Sequence, residues 1–291
     1  MWKRAHCGLI QRRVSPAAPA ANTLAHPLAV APNPVLVYQM GRVGSKSVES
    51  ALHSTFDRLS LEVPVVHGHY LSNFDELERR ARLDLADPRP FMADLESVND
   101  KIRAFLASLN DRKINIISLV RDPIARNVST FFYALDEFIP DWQRRADEGF
   151  LDAEHLHEIY LTKTSFVLSA LNWFEEQLQP LFGIDVYSVP FRPIKGYQIY
   201  SSPSANLLVI RLEDLDRCAG AAMLDFLGLP DFHVSRVNVG EELRAREPYR
   251  LFKTRPLPAE YVQWMYGFKL ARHFYTEKEL GTFARSWTKT G

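Results

Sequence analysis

Pro34-Val-Leu-Val-Tyr-Gln-Met-Gly-Arg-Val-Gly-Ser-Lys-Ser-Val48 is the stretch from which the rest of the chain can be read. A short apolar, β-branched run breaks into a glycine-containing turn, and the residues after the turn begin a helix. This pattern predicts a strand from Val35, a curled loop, and a helix over 45 to about 59. The first N–H groups of a helix have no partner inside it, and the helix dipole favours an anion in front of them. Gly41 and Gly44 let an oxygen approach the main chain, Ser45 and Ser47 add hydroxyl donors, and Arg42 and Lys46 add positive charge. Main-chain groups of the loop, Val43 included, complete the cradle. A phosphate-like anion is the expected guest.

A Walker loop would need Gly six residues before its Lys and another Gly directly before it, but Met40 and Ser45 stand at those places relative to Lys46. The remaining pattern, a strand followed by basic-x-Gly-Ser-x-Ser, resembles the 5′-phosphosulfate loop of sulfotransferases that use 3′-phosphoadenosine-5′-phosphosulfate (PAPS) as donor. The resemblance implies that Arg42, Val43, Gly44, Ser45, Lys46 and Ser47 bind the donor.

At 291 residues and 46% hydrophobic content the chain can bury a large core, and strand and helix patterns alternate along it. One α/β domain over 34–291 is expected, after a leader over 1–33. Thirty-five basic residues balance thirty-five acidic ones, so an anion must be met by local clusters, and a nucleic-acid partner is not expected. Cys7 and Cys218 form no disulfide framework and lie in no metal spacing. A reducing, cytoplasmic setting is expected, with no metal. No apolar run approaches the about 18 residues that cross a bilayer. The leader is acid-free, Arg-containing and then Ala/Pro-rich, which fits a disordered tail and also resembles an organellar transit peptide.

Leu61-Glu-Val-Pro-Val-Val66 is expected as a second strand, ending in His67-Gly-His69 on the rim where open α/β sheets bind ligands. Imidazole suits proton transfer near neutral pH. Residues 74 to about 110 read as helix broken near Asp87-Pro-Arg-Pro90. Ile114-Asn-Ile-Ile-Ser-Leu-Val120 reads as a strand buried on both faces. It runs into Arg121-Asp-Pro-Ile-Ala-Arg-Asn-Val-Ser129, where Pro123 can open a helix and Asp122 can cap it, with Arg126 then a surface charge.

Arg121, Pro123 and Ser129 resemble the arrangement by which sulfotransferases bind the 3′-phosphate of PAPS. Together the segments resemble bacterial sulfotransferase-like capsular polysaccharide synthesis proteins, from about Val35 to the C-terminus. That implies a P-loop-like, mainly parallel sheet with helices on both faces, and a donor pocket at the strand ends after 39, 67, 120 and 212. Arg42 falls where many sulfotransferases carry a loop Lys, so it would stabilise charge on the leaving phosphate. The His-Gly-His segment resembles that of the uronyl/heparan 2-O-sulfotransferases, whose second His is the base, which makes His69 the base and His67 its neighbour. The implied reaction moves a sulfuryl group from PAPS to a hydroxyl acceptor, expected to be a saccharide.

Residues 164–181 read as the longest late helix, with Trp173, Phe174 and Phe182 in the core. Stretches 183–190 and 196–200 read as a β excursion, and 206–215 as a fourth main strand, with Asp214 capping the helix that follows. Arg244, Arg246 and Lys253 fit a donor cover and equally a solvated basic face. Residues 258–287 read as two amphipathic helices split near His273-Phe-Tyr-Thr276. Two rival functions remain open at this stage: a P-loop kinase using Lys46 and Ser47, and a non-catalytic binding protein on the same fold.

Overall fold

The computed structural model describes residues 33–110, 112–163, 168–235 and 245–289. The leader, Arg244 and the start of the 164–181 segment therefore lie outside the described residues. Strand β1 (Val35–Tyr38) pairs in parallel with β2 (Val65–Gly68) on one side and β3 (Ile114–Val120) on the other. β3 pairs in parallel with β5 (Ala205–Arg211), and β4 (Tyr197–Ser201) closes the edge antiparallel to β5. The order is β2-β1-β3-β5-β4. Every residue of β1 and β3 is buried. Successive side chains point to opposite faces, so the middle of the sheet is covered on both.

The chain leaves β1 for β2, then returns past β1 to form β3. The connections after β1 and β3 therefore run to opposite sides of the sheet, and the tips of these two strands form a switch point, the place where open α/β sheets bind ligands. Helix α1 (Ser45–Arg58) follows the first loop, α2 (Phe74–Asp84) and α3 (Arg89–Ala107) lie between β2 and β3, and α4 (Pro123–Tyr133) follows β3. Among the described residues no helix is long and apolar enough to cross a membrane.

β2 starts four residues later than expected. Pro64 has no N–H for the ladder, and its carbonyl instead accepts from Val35 N–H at 2.9 Å, with pairing beginning at Val65. His67 thereby becomes a strand residue, and His69 follows the strand's end. Gly68 is required there because a Cβ would stand 2.3 Å from Ile102 Cδ1 of α3.

The late helix is also corrected. Its described part is a 3-10 turn (Ser169–Asn172), a π-turn (Phe174–Leu178) and a short α turn (Gln179–Phe182). Pro180 cannot donate to a regular ladder, and Gln177 is drawn into other bonds: its Oε1 accepts from Leu71 N–H at 2.9 Å and Ser72 N–H at 3.0 Å, and its Nε2 donates to the Ser72 carbonyl at 2.6 Å. Trp173, Phe174 and Phe182 are buried.

Stretch 183–190 contains a 3-10 turn, Val186–Ser188, begun by Asp185, in place of a strand. The C-terminal region forms three helices, Ala259–Gly267, Lys269–Phe274 and Glu277–Thr288, the extra break falling at Phe268. Thr276 and Glu279 close the last of them with a reciprocal capping box.

Candidate active site

The loop after β1 is shaped by arginines from the β3–α4 corner. Arg126 Nε donates to the Gly41 carbonyl at 3.0 Å, and Arg121 Nη1 donates to the Arg42 carbonyl at 3.1 Å. Arg42 takes a left-handed φ of 69°, its Nε donates to Ser129 Oγ at 3.2 Å, and its guanidinium lies 4.4 Å above the Tyr133 ring. Three residues singled out by sequence, Arg42, Arg121 and Ser129, thus share one contact network. Val43 is buried in the core and Lys46 is exposed, while Ser45 and Ser47 are buried at the start of α1. The first turn of α1 carries no acidic residue, which leaves its dipole unopposed for an anion.

Gly44, at φ 90°, is the glycine the turn needs, because a Cβ there would meet Leu212 Cδ1 at 2.8 Å. A Cβ at Gly41 would meet nothing within 4 Å, and the left-handed turn falls on Arg42 instead. Gly44→Ala is expected to lose about 1–2 kcal/mol to the left-handed backbone. Gly41→Ala should stay within about 0.5 kcal/mol. Urea unfolding of the two variants checks the contrast, and equal losses would contradict it.

Arg126 is not the surface charge that the alternative, capping-only reading of this segment would make it: the residue is 3% exposed. Burial pulls its guanidinium below the ordinary arginine range, and the charges of Arg42 and Arg121 add to the effect. Three guanidinium groups this close repel one another, and an anion between them would relieve that repulsion. Arg126, Ser129 and Tyr133 recur at i, i+3 and i+7 on one face of α4, the signal in the sequence that could have found Arg126 and Tyr133. Asp122 does cap α4, accepting from Ile124 N–H at 3.1 Å.

His69 sits beside this cluster. Its Nδ1 lies 2.8 Å from the Gln39 carbonyl, which only accepts, so Nδ1 carries the proton and Nε2 the lone pair. Trp173 Nε1 donates to the His69 carbonyl at 2.7 Å. Gln39 is fully buried and its Oε1 accepts from Leu119 N–H at 3.1 Å, which ties the β1 tip to β3. His67 Nδ1 lies 2.9 Å from Glu49 Oε2 on α1, and the two histidine rings pack edge to face at 4.7 Å.

Burial, then the neighbouring His67 and Arg126, push His69 down to about 3, opposed by the Gln39 hydrogen bond and Glu49. In the unfolded chain a histidine titrates near about 6.5. Between those values the unfolded state binds more protons, so this contribution to stability is complete above about 6.5 and is lost as the pH falls toward 3. The slope is at most about 1.4 kcal/mol per pH unit. Unfolding free energies at about pH 7 and pH 5 should fall more steeply for wild type than for His69→Ala; parallel losses would contradict this.

The late basic residues do not join the cluster equally. Arg246 is exposed, whereas Lys253 Nζ lies 3.7 Å from the Trp287 ring centroid, and Trp287 Nε1 donates to Asp122 Oδ2 at 3.3 Å, one residue from Arg121. Asp214 stands at the N-cap position of the helix Leu215–Leu227, yet its carboxylate is held by Arg211 and Arg217 and makes no capping bond. Among the described residues no three His, Cys, Asp or Glu side chains cluster as metal ligands would. No family model matches the chain, and no curated protein or solved structure matches it.

Proposed function

We propose that this chain is a PAPS-dependent sulfotransferase that moves a sulfuryl group to a hydroxyl of a saccharide. The observation that carries the reading is the meeting of Arg42 with Arg121 and Ser129, which lie 79 and 87 residues away in sequence, at a single loop. The parallel sheet, with this loop at a switch point, fits the P-loop-like architecture that the resemblance implies. The site also fits the donor on its own chemistry: guanidinium groups suit phosphate oxygens, and Gly44 supplies the left-handed turn from which the first N–H groups of α1 begin.

PAPS supplies an activated sulfuryl group and two phosphate handles. Arg42 and the α1 N-terminus, with Ser45, Lys46 and Ser47, would hold the phosphosulfate end and stabilise charge on the departing phosphate. Arg121, Ser129 and Arg126 would hold the 3′-phosphate end. Neutral His69 would accept the hydroxyl proton at Nε2 as the acceptor oxygen bonds to sulfur and the bond from sulfur to the phosphate oxygen breaks. Fixed donors and positioning supply the stabilisation such a transfer needs.

The test is formation of 3′,5′-ADP from PAPS by the full chain, followed with and without a panel of hydroxyl-rich polysaccharides. Saccharide-stimulated 3′,5′-ADP release with sulfate appearing on the polymer supports the reading. Phosphorylation from ATP with magnesium, and none from PAPS, would replace it with a kinase.

A further inference from the structure

One hydrogen bond does not fix an imidazole. His69 is anchored at Nδ1 by the Gln39 carbonyl, and its ring can still swivel about that bond. The neighbour that limits the swivel is His67, whose ring meets it at 80° and 4.7 Å. His67 could turn as well, since among the described residues its buried Nε2 has no hydrogen-bond partner. Its Nδ1 is what holds it, 2.9 Å from Glu49 Oε2. Glu49 lies on α1, four residues past Ser45, on the helix whose first turn belongs to the anion loop.

We propose that Glu49 is a positioning residue of the transfer, acting through His67 to hold the His69 ring in the orientation that presents the Nε2 lone pair. This rests on the sulfotransferase reading above. A bound anion at the start of α1 and the base at the tip of β2 are then joined through one helix and one ring. The His67 hydrogen bond, opposed by burial, holds the Glu49 carboxyl below its ordinary range, so an anion stands behind the pair. His53 on the same helix also acts on Glu49, and Arg126 on α4 acts on His69. An ordinary surface ion pair between helix and strand would steady the fold and nothing more. Three readouts separate that from positioning.

The experiment compares wild type, Glu49→Ala and Glu49→Gln as full chains. Linewidths in side-chain ¹H–¹⁵N spectra report exchange of the His69 ring between orientations, calorimetry the 3′,5′-ADP affinity, and 3′,5′-ADP formation the turnover of PAPS. In Glu49→Ala the His69 ring signals should broaden by exchange between orientations while Nδ1 keeps the proton that the Gln39 carbonyl holds, and turnover should fall about 10- to 100-fold with 3′,5′-ADP affinity unchanged. Glu49→Gln should restore sharp His69 ring signals and turnover within about threefold, because an amide oxygen also accepts from the His67 Nδ1–H. An unaltered His69 spectrum and full turnover in Glu49→Ala would overturn the inference alone. A wild-type chain that binds no 3′,5′-ADP would instead overturn the reading on which it rests.

Discussion

Replacing His69 with alanine is expected to slow sulfuryl transfer by about 10²- to 10⁴-fold, the usual contribution of a placed general base, while 3′,5′-ADP affinity is unchanged. The Gln39 carbonyl fixes which nitrogen is bare, Trp173 holds the residue's own carbonyl, and Gln177 holds the N–H of Leu71 two residues on. Its environment keeps the ring neutral across the physiological range, with Arg126 among the causes. A polyanion arriving beside Arg126 would offset that charge and strengthen the base, which couples donor binding to proton transfer. The check is the rate of 3′,5′-ADP formation from PAPS with a saccharide acceptor. A variant as fast as wild type would remove His69 from the chemistry.

The second large effect falls on stability. Asp122 is 5% exposed and its carboxylate accepts from Ile124 N–H, from Tyr266 Oη at 3.0 Å and from Trp287 Nε1. Its own N–H donates to Glu213 Oε1 at 2.7 Å, and Tyr275 Oη donates to Glu213 Oε2 at 2.9 Å. The C-terminal helices are thereby fastened to the corner that carries Arg121. Alanine at position 122 removes a helix cap, about 1 kcal/mol, and strands two buried donors at about 1–3 kcal/mol each. Burial raises the Asp122 carboxyl above its ordinary range, so relief from burying that charge offsets part of the loss. A net destabilisation of about 3 kcal/mol is expected for Asp122→Ala. Asp122→Asn keeps an oxygen for Ile124 and Tyr266 and should lose less than half as much. Urea unfolding decides, and a loss below about 1 kcal/mol for Asp122→Ala would refute the role given to this network.

The sheet was legible where local and global signals agree. β3 is a mainly apolar run, interrupted by Asn115 and Ser118, that is buried on both faces, and its expected and observed limits coincide. The loop and α1 were legible because glycine, serine and the change of period coincide there. β2 was displaced by a single missing ladder donor at Pro64, and the π-turn at Phe174–Leu178 was hidden because its cause lies in the side chain of Gln177 reaching a distant loop.

The site divides in the same way. Arg121 and Ser129 could be singled out because the sulfotransferase pattern they resemble lies along one segment. Arg126 was not singled out, because its burial comes from the fold, which seats it against the Gly41 carbonyl. Glu49 and the Asp122–Glu213–Tyr275 network depend on contacts between segments distant in sequence, which no periodicity records.

The most direct measurement is a calorimetric titration of the full chain with 3′,5′-ADP, beside ATP with magnesium, on wild type and Arg121→Ala. Wild type should bind 3′,5′-ADP and ignore ATP. Arg121→Ala should lose about 10- to 100-fold in affinity, the worth of hydrogen bonds to a charged group. No 3′,5′-ADP binding to wild type, or binding indifferent to Arg121→Ala, would contradict the donor site proposed at the tips of β1 and β3.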